Sequence, residues 1–486
     1  MIEPFIPYKH QTDALEILHT MEIRGGKGGF LCDSPGMGKT ATMSMYLKKY
    51  KIDRMADLII CPKSVLYIWE KEINRIYECL EPKGKARILI YAGKNRVEQI
   101  ENIWDFVIIS YNTVRSDIDI INSKFWGRII LDESHTIRNA LKKSTSFSTH
   151  IVGLKDVSMY RFCLSATPYN NRLSDVVSQA NFIGTTPYND LNWWKANKDN
   201  ISLINDWKNR YIIKRTKENI LPIPKYHSIS VIPTQIENNL IQMLKSKTHE
   251  LYKEWKIAKA NKNEADRIRL QACILALITK LRQISNSYYC LEEYTPDVNG
   301  IRKTCAKVDA ILSKLYQCLK CGNKKNGIVI FSQFTSFLDI LEIMLEEDFY
   351  GIERYRIDGT KTSEARETAI QNFNDSKIDR VMLVSLLAGG TGISLHRGSS
   401  TIFICEPYFN PFVELQAEER VHRLGQEEQV DVYRFTMKNS IEDWLEMLKI
   451  KKNENAHFLD MAKVGLSTSS GMSMDDLRSL FESKVY

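Results

Sequence analysis

No stretch of this sequence is apolar for long enough to cross a bilayer, and it does not open on a basic head followed by a short apolar core. Neither a membrane span nor a secretory leader is expected. Internal repeats and low-complexity tracts are absent, which argues against solenoids and long flexible linkers. Cysteine patterning is missing too. The ten cysteines are irregularly spaced and several sit in apolar runs (Cys61, Cys163, Cys405), as free thiols of a reduced, intracellular protein do. One C-x-x-C pair, Cys318 and Cys321, has only Cys290 and Cys305 near it in sequence, at spacings unlike a four-ligand site, so zinc is not expected. No serine–histidine–aspartate set stands out. Excess charge is small: 67 Lys+Arg against 59 Asp+Glu give +8, which allows a polyanionic partner without demanding one.

What is present is a long globular chain: 486 residues, 43% hydrophobic and 26% charged, enough for several cores. Short apolar runs (GGFLCDS, ADLIICP, ARILIY, WDFVIIS, GRIILDE, RFCLSAT) alternate with helix-periodic stretches such as SVLYIWEKEINRIYECL. Runs with both faces apolar are the mark of buried parallel strands, so the fold class is α/β. Residues 235–286 lack Pro and Gly, are helix-periodic and carry many Lys and Arg. They read as long helices whose charged face is either solvated or turned to nucleic acid. Strand signals return at GIVIFSQ, YRIDG, RVMLVSL and STIFICEP. The expected organisation is a first parallel-sheet lobe over 1–215, a helical protrusion over 216–300, a second lobe over 301–463, and a polar linker with a short helix over 464–486.

Chemistry concentrates at strand ends. In CDSPGMGKT, residues 32–40, Gly36 and Gly38 let the backbone approach closely, Lys39 suits β and γ phosphates, and Thr40 suits Mg²⁺; Pro35, Met37 and Ala41 complete the loop and helix start. The first glycine of the usual phosphate loop is replaced by Asp33. GRIILDESH ends in Asp132, placed to hold magnesium, and Glu133, placed to activate water. RFCLSATP ends in Ser165, Ala166 and Thr167, and the hydroxyls of Ser165 and Thr167 are suited to link the acid pair to the γ-phosphate. Gln11, just inside the first helix, suits an adenine edge. In QAEERVHRLGQ, Gln416, Arg420 and Arg423 recur at helical spacing. The pattern fits either arginine fingers or an exposed helix with Glu–Arg pairs. Trp193-Trp194 fits core packing better than base stacking.

Taken together, Y-x-x-Q, GMGKT, DESH and LSATP resemble helicase superfamily two, and WGRIILDESHTIRN, LSATPYNN and QAEERVHRLGQ resemble the Swi/Snf family within it. That family carries an Asp where Asp33 stands, although Ser34-Pro35 departs from its loop. LVSLLAGGTGISLHRGSSTIFICEPYFNP resembles a second-lobe segment, with Ser394 in place of an Asn and Glu406 in place of an Asp; YIIKRTKENILPIPK, LRQISN and AKVDAIL resemble its connecting signatures. The resemblance implies two RecA-like lobes that share one ATP site, with Mg²⁺ as cofactor and Gly392 near the nucleotide. His135 would link the acid box to neighbouring motifs. It also implies a grip on the duplex DNA backbone with little sequence preference. The contacts would come from Pro62, Lys63, Ser64, Ser110, Tyr111, Asn112 and Thr113 in the first lobe and from Ser332, Gln333, Gly390 and Thr391 in the second. The implied activity is ATP-driven translocation that displaces a DNA-bound protein, in nucleus, cytoplasm or a viral setting. In compactness the chain is similar to poxvirus-type nucleoside triphosphate phosphohydrolases. A strand-separating helicase and a scaffold with a decayed ATPase are the rival readings.

Overall fold

Apolar runs that alternate residue by residue between two cores build the first sheet. In a computed structural model that describes residues 6–23, 27–80, 85–137, 147–166, 173–197, 200–217, 221–291, 305–320, 325–386, 393–459 and 480–481, the chain divides into two compact units, with the main break after Asn219. The first unit holds seven parallel strands: β1 (Gly28–Leu31), β2 (Asp57–Cys61), β3 (Ile88–Ile90), β4 (Phe106–Ser110), β5 (Trp126–Asp132), β6 (Ser158–Leu164) and β7 (Ile212–Ile213). Their order is β3-β4-β2-β5-β6-β1-β7. Along β5, Ile129 and Leu131 enter one core with Phe30, Ile60 and Trp207, whereas Ile130 enters the other with Ile59, Ile108 and Phe162. Helices α1 (Lys9–Ile23), α2 (Lys39–Lys49) and α3 (Leu66–Leu80) cover the second face. Both faces are covered, as parallel sheets require.

Trp193 and Trp194 pack against Tyr188, and the Trp194 indole donates to the Tyr188 carbonyl at 2.7 Å. Tyr188, Trp194 and Trp207 share the first core, so this pair is committed to packing.

The second unit carries six parallel strands: β8 (Lys225–Val231), β9 (Gly327–Ser332), β10 (Glu353–Ile357), β11 (Arg380–Ser385), β12 (Thr401–Ile404) and β13 (Asp431–Met437). Their order is β10-β11-β9-β12-β13-β8. Two parallel sheets, each wrapped by helices, make the expected α/β fold of two RecA-like lobes. The helices Gln235–Ala260 and Glu264–Ile284 form as expected, and Thr234 starts the first with a capping box on Glu237. Each buries one stripe, Ile241, Leu244, Tyr252 and Trp255 on the first and Leu270, Ile274, Ile278 and Leu281 on the second. Those stripes belong to the same core as β9 and β12. The helical pair is therefore an outgrowth of the second unit, and β8, inside the expected protrusion, is an edge strand of its sheet.

Among the described residues no helix is long and apolar enough to cross a membrane, and no three His, Cys, Asp or Glu side chains cluster as a metal site. Cys290 and Cys305 are buried, and burial raises both thiols to about 12; Cys321 lies outside the described residues.

Candidate nucleotide-binding site

The loops that follow β1, β2, β4, β5 and β6 emerge at the carboxyl edge of one parallel sheet, where α/β folds place ligands. After β1 the chain turns through Ser34–Gly38 into α2. Gly36 and Gly38 both have φ +75°, a backbone that side chains resist. A Cβ at Gly38 would also stand 2.5 Å from Gln11 Nε2. Gln11 therefore lies directly against the loop; it is buried, and its Oε1 accepts the Tyr8 N–H at 3.0 Å. Pro35 is half-buried in the turn, Met37 fully buried, and Ala41 buried on the first turn of α2. The helix starts without a side-chain cap, so its first N–H groups and the half-buried Thr40 are left for a phosphate-bearing ligand. Lys39 Nζ donates to the Asp33 carbonyl at 2.9 Å, which holds the ammonium over the loop.

Asp33 explains its own presence. Its carboxylate, fully buried, accepts the Arg215 backbone N–H at 3.1 Å and Nε at 2.8 Å, and a second guanidinium nitrogen closes the fork. Arg215 also donates to the His10 carbonyl, and His10 Nε2 lies 3.2 Å from the Met37 carbonyl. The residue in the glycine position thus ties the phosphate loop to the chain beyond β7 and to the start of α1. Arg215, inside the connecting stretch YIIKRTKENI, was not among the expected site residues; its signal was a lone arginine after a short apolar run.

At the end of β5, Asp132 Oδ2 accepts the Trp69 indole N–H at 2.9 Å and Oδ1 accepts the Glu133 N–H at 3.0 Å. Burial, then the neighbouring Glu133, raises the Asp132 carboxyl to about 6, while Trp69 and Lys39 pull it down. A half-buried carboxylate under that penalty fits a hard cation that keeps most of its ligands from water and phosphate. Glu133 has φ +50°, in the left-handed region. His135 Nδ1 lies 3.3 Å from both Glu133 Oε2 and Ser165 Oγ, so it bridges the acid pair to the end of β6. Ser134 Oγ donates to the buried Gln179 at 2.6 Å, a support the sequence did not reveal. Ala166 follows Ser165 half-buried, and Thr167 lies outside the described residues.

The expected DNA contacts divide by exposure. Lys63, Ser64 and Asn112 are exposed, and Pro62 is half-buried. Ser110 and Thr113 spend their hydroxyls on each other at 2.7 Å while Ser110 caps the helix Tyr111–Ser116. Tyr111 departs from its expected role: it is buried, and its hydroxyl donates to the Asp132 carbonyl at 2.7 Å.

In the second unit Ser332 departs likewise. It is fully buried and donates to Glu406 at 3.0 Å, because the longer acid at 406 reaches under the end of β9. Gln333 gives its N–H to Glu406 at 2.5 Å, and its Oε1 accepts Arg282 at 2.6 Å. Asn286 donates to Glu406 at 2.8 Å and accepts from Lys307 at 2.9 Å, and Lys307 pairs with Glu442 at 2.6 Å. This buried polar chain runs from α/β edge to helix interior and was invisible to sequence spacing. Gly390, Thr391 and Gly392 lie outside the described residues. Gln416 is half-buried on the helix Pro411–Glu418, which ends before the arginines, so the three do not share one helical face. Arg420 and Arg423 sit in the turns that follow, anchored where the Arg420 carbonyl accepts the Leu395 N–H at 2.8 Å.

Comparison with known proteins agrees with this arrangement. A model of the "SNF2-related domain" matches residues 10–290 and one of the "Helicase conserved C-terminal domain" matches 308–425. Among curated relatives, an "Uncharacterized ATP-dependent helicase" of Mycoplasma pneumoniae is 29% identical over 88% of this chain and 40% of its own length. The "ISWI chromatin-remodeling complex ATPase ISW2" of Saccharomyces cerevisiae is 29% identical over 93% and 41%. A "Probable global transactivator" of Orgyia pseudotsugata multicapsid polyhedrosis virus is 28% identical over 91% and 89%. The chain spans 40% and 44% of the two mycoplasmal relatives it matches. The solved "Sulfolobus solfataricus SWI2/SNF2 ATPase core in complex with dsDNA" aligns over 99% of both chains at 22% identity and TM-score 0.40. With the SNF2-related description spanning more than half of the residues and the helicase C-terminal description following it, on two parallel-sheet units of which the first carries a phosphate loop and a DES acid box, this chain belongs to the SNF2-related family of helicase superfamily two.

Proposed function

We propose that the protein is a DNA-dependent ATPase that moves along duplex DNA and displaces bound protein. The observation that carries this reading is the gathering of Lys39, Asp132 and Glu133 at one sheet edge that also bears the exposed loops of Lys63, Ser64 and Asn112. The backbone of the 34–38 turn and the N-terminus of α2 receive the phosphates, with Lys39 neutralising their charge. Magnesium, when bound, would spread the developing negative charge, with Thr40 and Asp132 as its protein ligands. Glu133 takes the proton of the attacking water, and His135 holds Glu133 toward Ser165. Arg420 and Arg423 are assigned to the γ-phosphate, and Gln416 to positioning beside them. Gln11 reads the base beside the loop. The exposed hydroxyl, amide and ammonium groups grip phosphates and carry no sequence information, so binding weakens steeply with salt.

The test is steady-state ATP turnover with no nucleic acid, single-stranded DNA, duplex DNA and RNA, alongside Glu133→Gln. Duplex-specific stimulation that the substitution abolishes is the expected result. Turnover indifferent to duplex would overturn the reading. Displacement of a triplex third strand without duplex unwinding separates translocation from strand separation.

A further inference from the structure

We infer that Trp69 and Tyr111 are the positioning residues through which duplex DNA accelerates hydrolysis, because each ties Asp132 to one of the two loops assigned to the DNA backbone. The inference rests on the reading above and deepens it.

Asp132 is held by side chains from two elements other than its own strand. Trp69 comes from α3, and its indole fixes one carboxylate oxygen at 2.9 Å. Tyr111 opens the helix after β4, and its hydroxyl fixes the Asp132 main-chain carbonyl at 2.7 Å. Both side chains are buried, so neither meets DNA itself. Each is nevertheless joined to exposed groups. Lys63 and Ser64 stand on the single 3₁₀ turn Lys63–Val65 that runs directly into α3, so Ser64 and Trp69 are separated by about one and a half helical turns of rigid backbone. Asn112, exposed, is the residue after Tyr111, and the Ser110 cap fixes the start of that helix.

The geometry has a direct consequence. A phosphate that draws on Lys63 and Ser64 pulls on the helix start that aims the indole. A phosphate that draws on the exposed Asn112 pulls on the turn that aims the phenol. Either displacement reorients the carboxylate or carbonyl of Asp132, and with it the Glu133 N–H bonded to the same carboxylate at 3.0 Å. Outer partners of this kind change the activity of the group they orient by about 10- to 100-fold. A merely structural pair would have no reason to stand on the two elements that carry the DNA-assigned groups and converge on one acid.

The test compares Trp69→Phe and Tyr111→Phe with the unaltered chain. Three quantities are read: ATP turnover without DNA, turnover at saturating duplex, and duplex affinity by fluorescence anisotropy without nucleotide. Each variant removes one donor and keeps a ring. The expected result is a ratio of stimulated to unstimulated turnover that falls about 10-fold, with duplex affinity within about 2-fold of the parent. A variant that loses both turnovers in proportion keeps its ratio and refutes the inference, as does one whose ratio is unchanged. A drop in ratio explained by lost duplex affinity refutes it too. Tyr111→Phe, close to isosteric, decides alone if the tryptophan variant does not fold. If the parent itself shows no duplex stimulation, the proposed function fails first and this inference with it.

Discussion

Restoring the ordinary glycine at the head of the phosphate loop should damage this protein. Three donors of Arg215 converge on the Asp33 carboxylate, which is fully buried, while the Arg215 side chain remains 23% exposed. Removing one partner of a buried pair costs about 3–5 kcal/mol, and the partial exposure of Arg215 puts Asp33→Gly near the lower end, about 3 kcal/mol. The added glycine loosens the loop by a further ~0.5–1 kcal/mol. Urea unfolding followed by tryptophan fluorescence reads the effect, because six of the eight tryptophans precede Asn219 and report on the first unit. A cycle of Asp33→Asn, Arg215→Met and the pair should give a coupling of at least about 1.5 kcal/mol. ATP affinity should fall in parallel, since the loop loses its tie to α1 and the chain beyond β7. Additivity within about 0.5 kcal/mol, or an Asp33→Gly protein that binds ATP as well as its parent, would show the clamp to be ornamental.

Other outcomes follow from the same coordinates. Gly38→Ala places a methyl 2.5 Å from Gln11 Nε2 at φ +75° and should cost about 1–3 kcal/mol while weakening ATP binding, measured by unfolding and by nucleotide titration. Lys307→Met leaves Glu442 buried without its cation and should destabilise the second unit by about 3–5 kcal/mol in denaturant unfolding, whereas Lys307→Met with Glu442→Leu should recover much of it. Burial raises Glu442 from 4.5 to about 7 in the fold. Its contribution is therefore in place below pH 4.5 and lost as pH rises through about 7. The unfolding midpoint should fall between pH 5 and pH 8, and Glu442→Gln should reduce that fall; an unaltered slope would rule the residue out as its source.

The strands buried on both faces were legible because continuous apolar runs such as LIIC and FVIIS leave little else to be. β8 and β13 escaped notice for the opposite reason. β8 is an edge strand with most residues open to solvent, and β13 alternates buried and half-exposed residues, so neither shows an apolar run. The phosphate loop and acid box were legible as short local strings whose chemistry depends on adjacent residues. Their supports were not: Trp69, Arg215 and Gln179 reach the site from 63, 182 and 45 residues away along the chain, and only folding brings them there. Tyr111 and Ser332 carry hydroxyls in suitable loops, but sequence gives no sign of which way a side chain points, and both point inward.

Glu133 occupies a left-handed backbone that glycine or asparagine would adopt at less cost. A laboratory search that rewards only heat resistance should therefore drift toward small residues at this position and return sturdy, silent proteins. Under the proposed function, Glu133 is a place where durability and turnover pull in opposite directions.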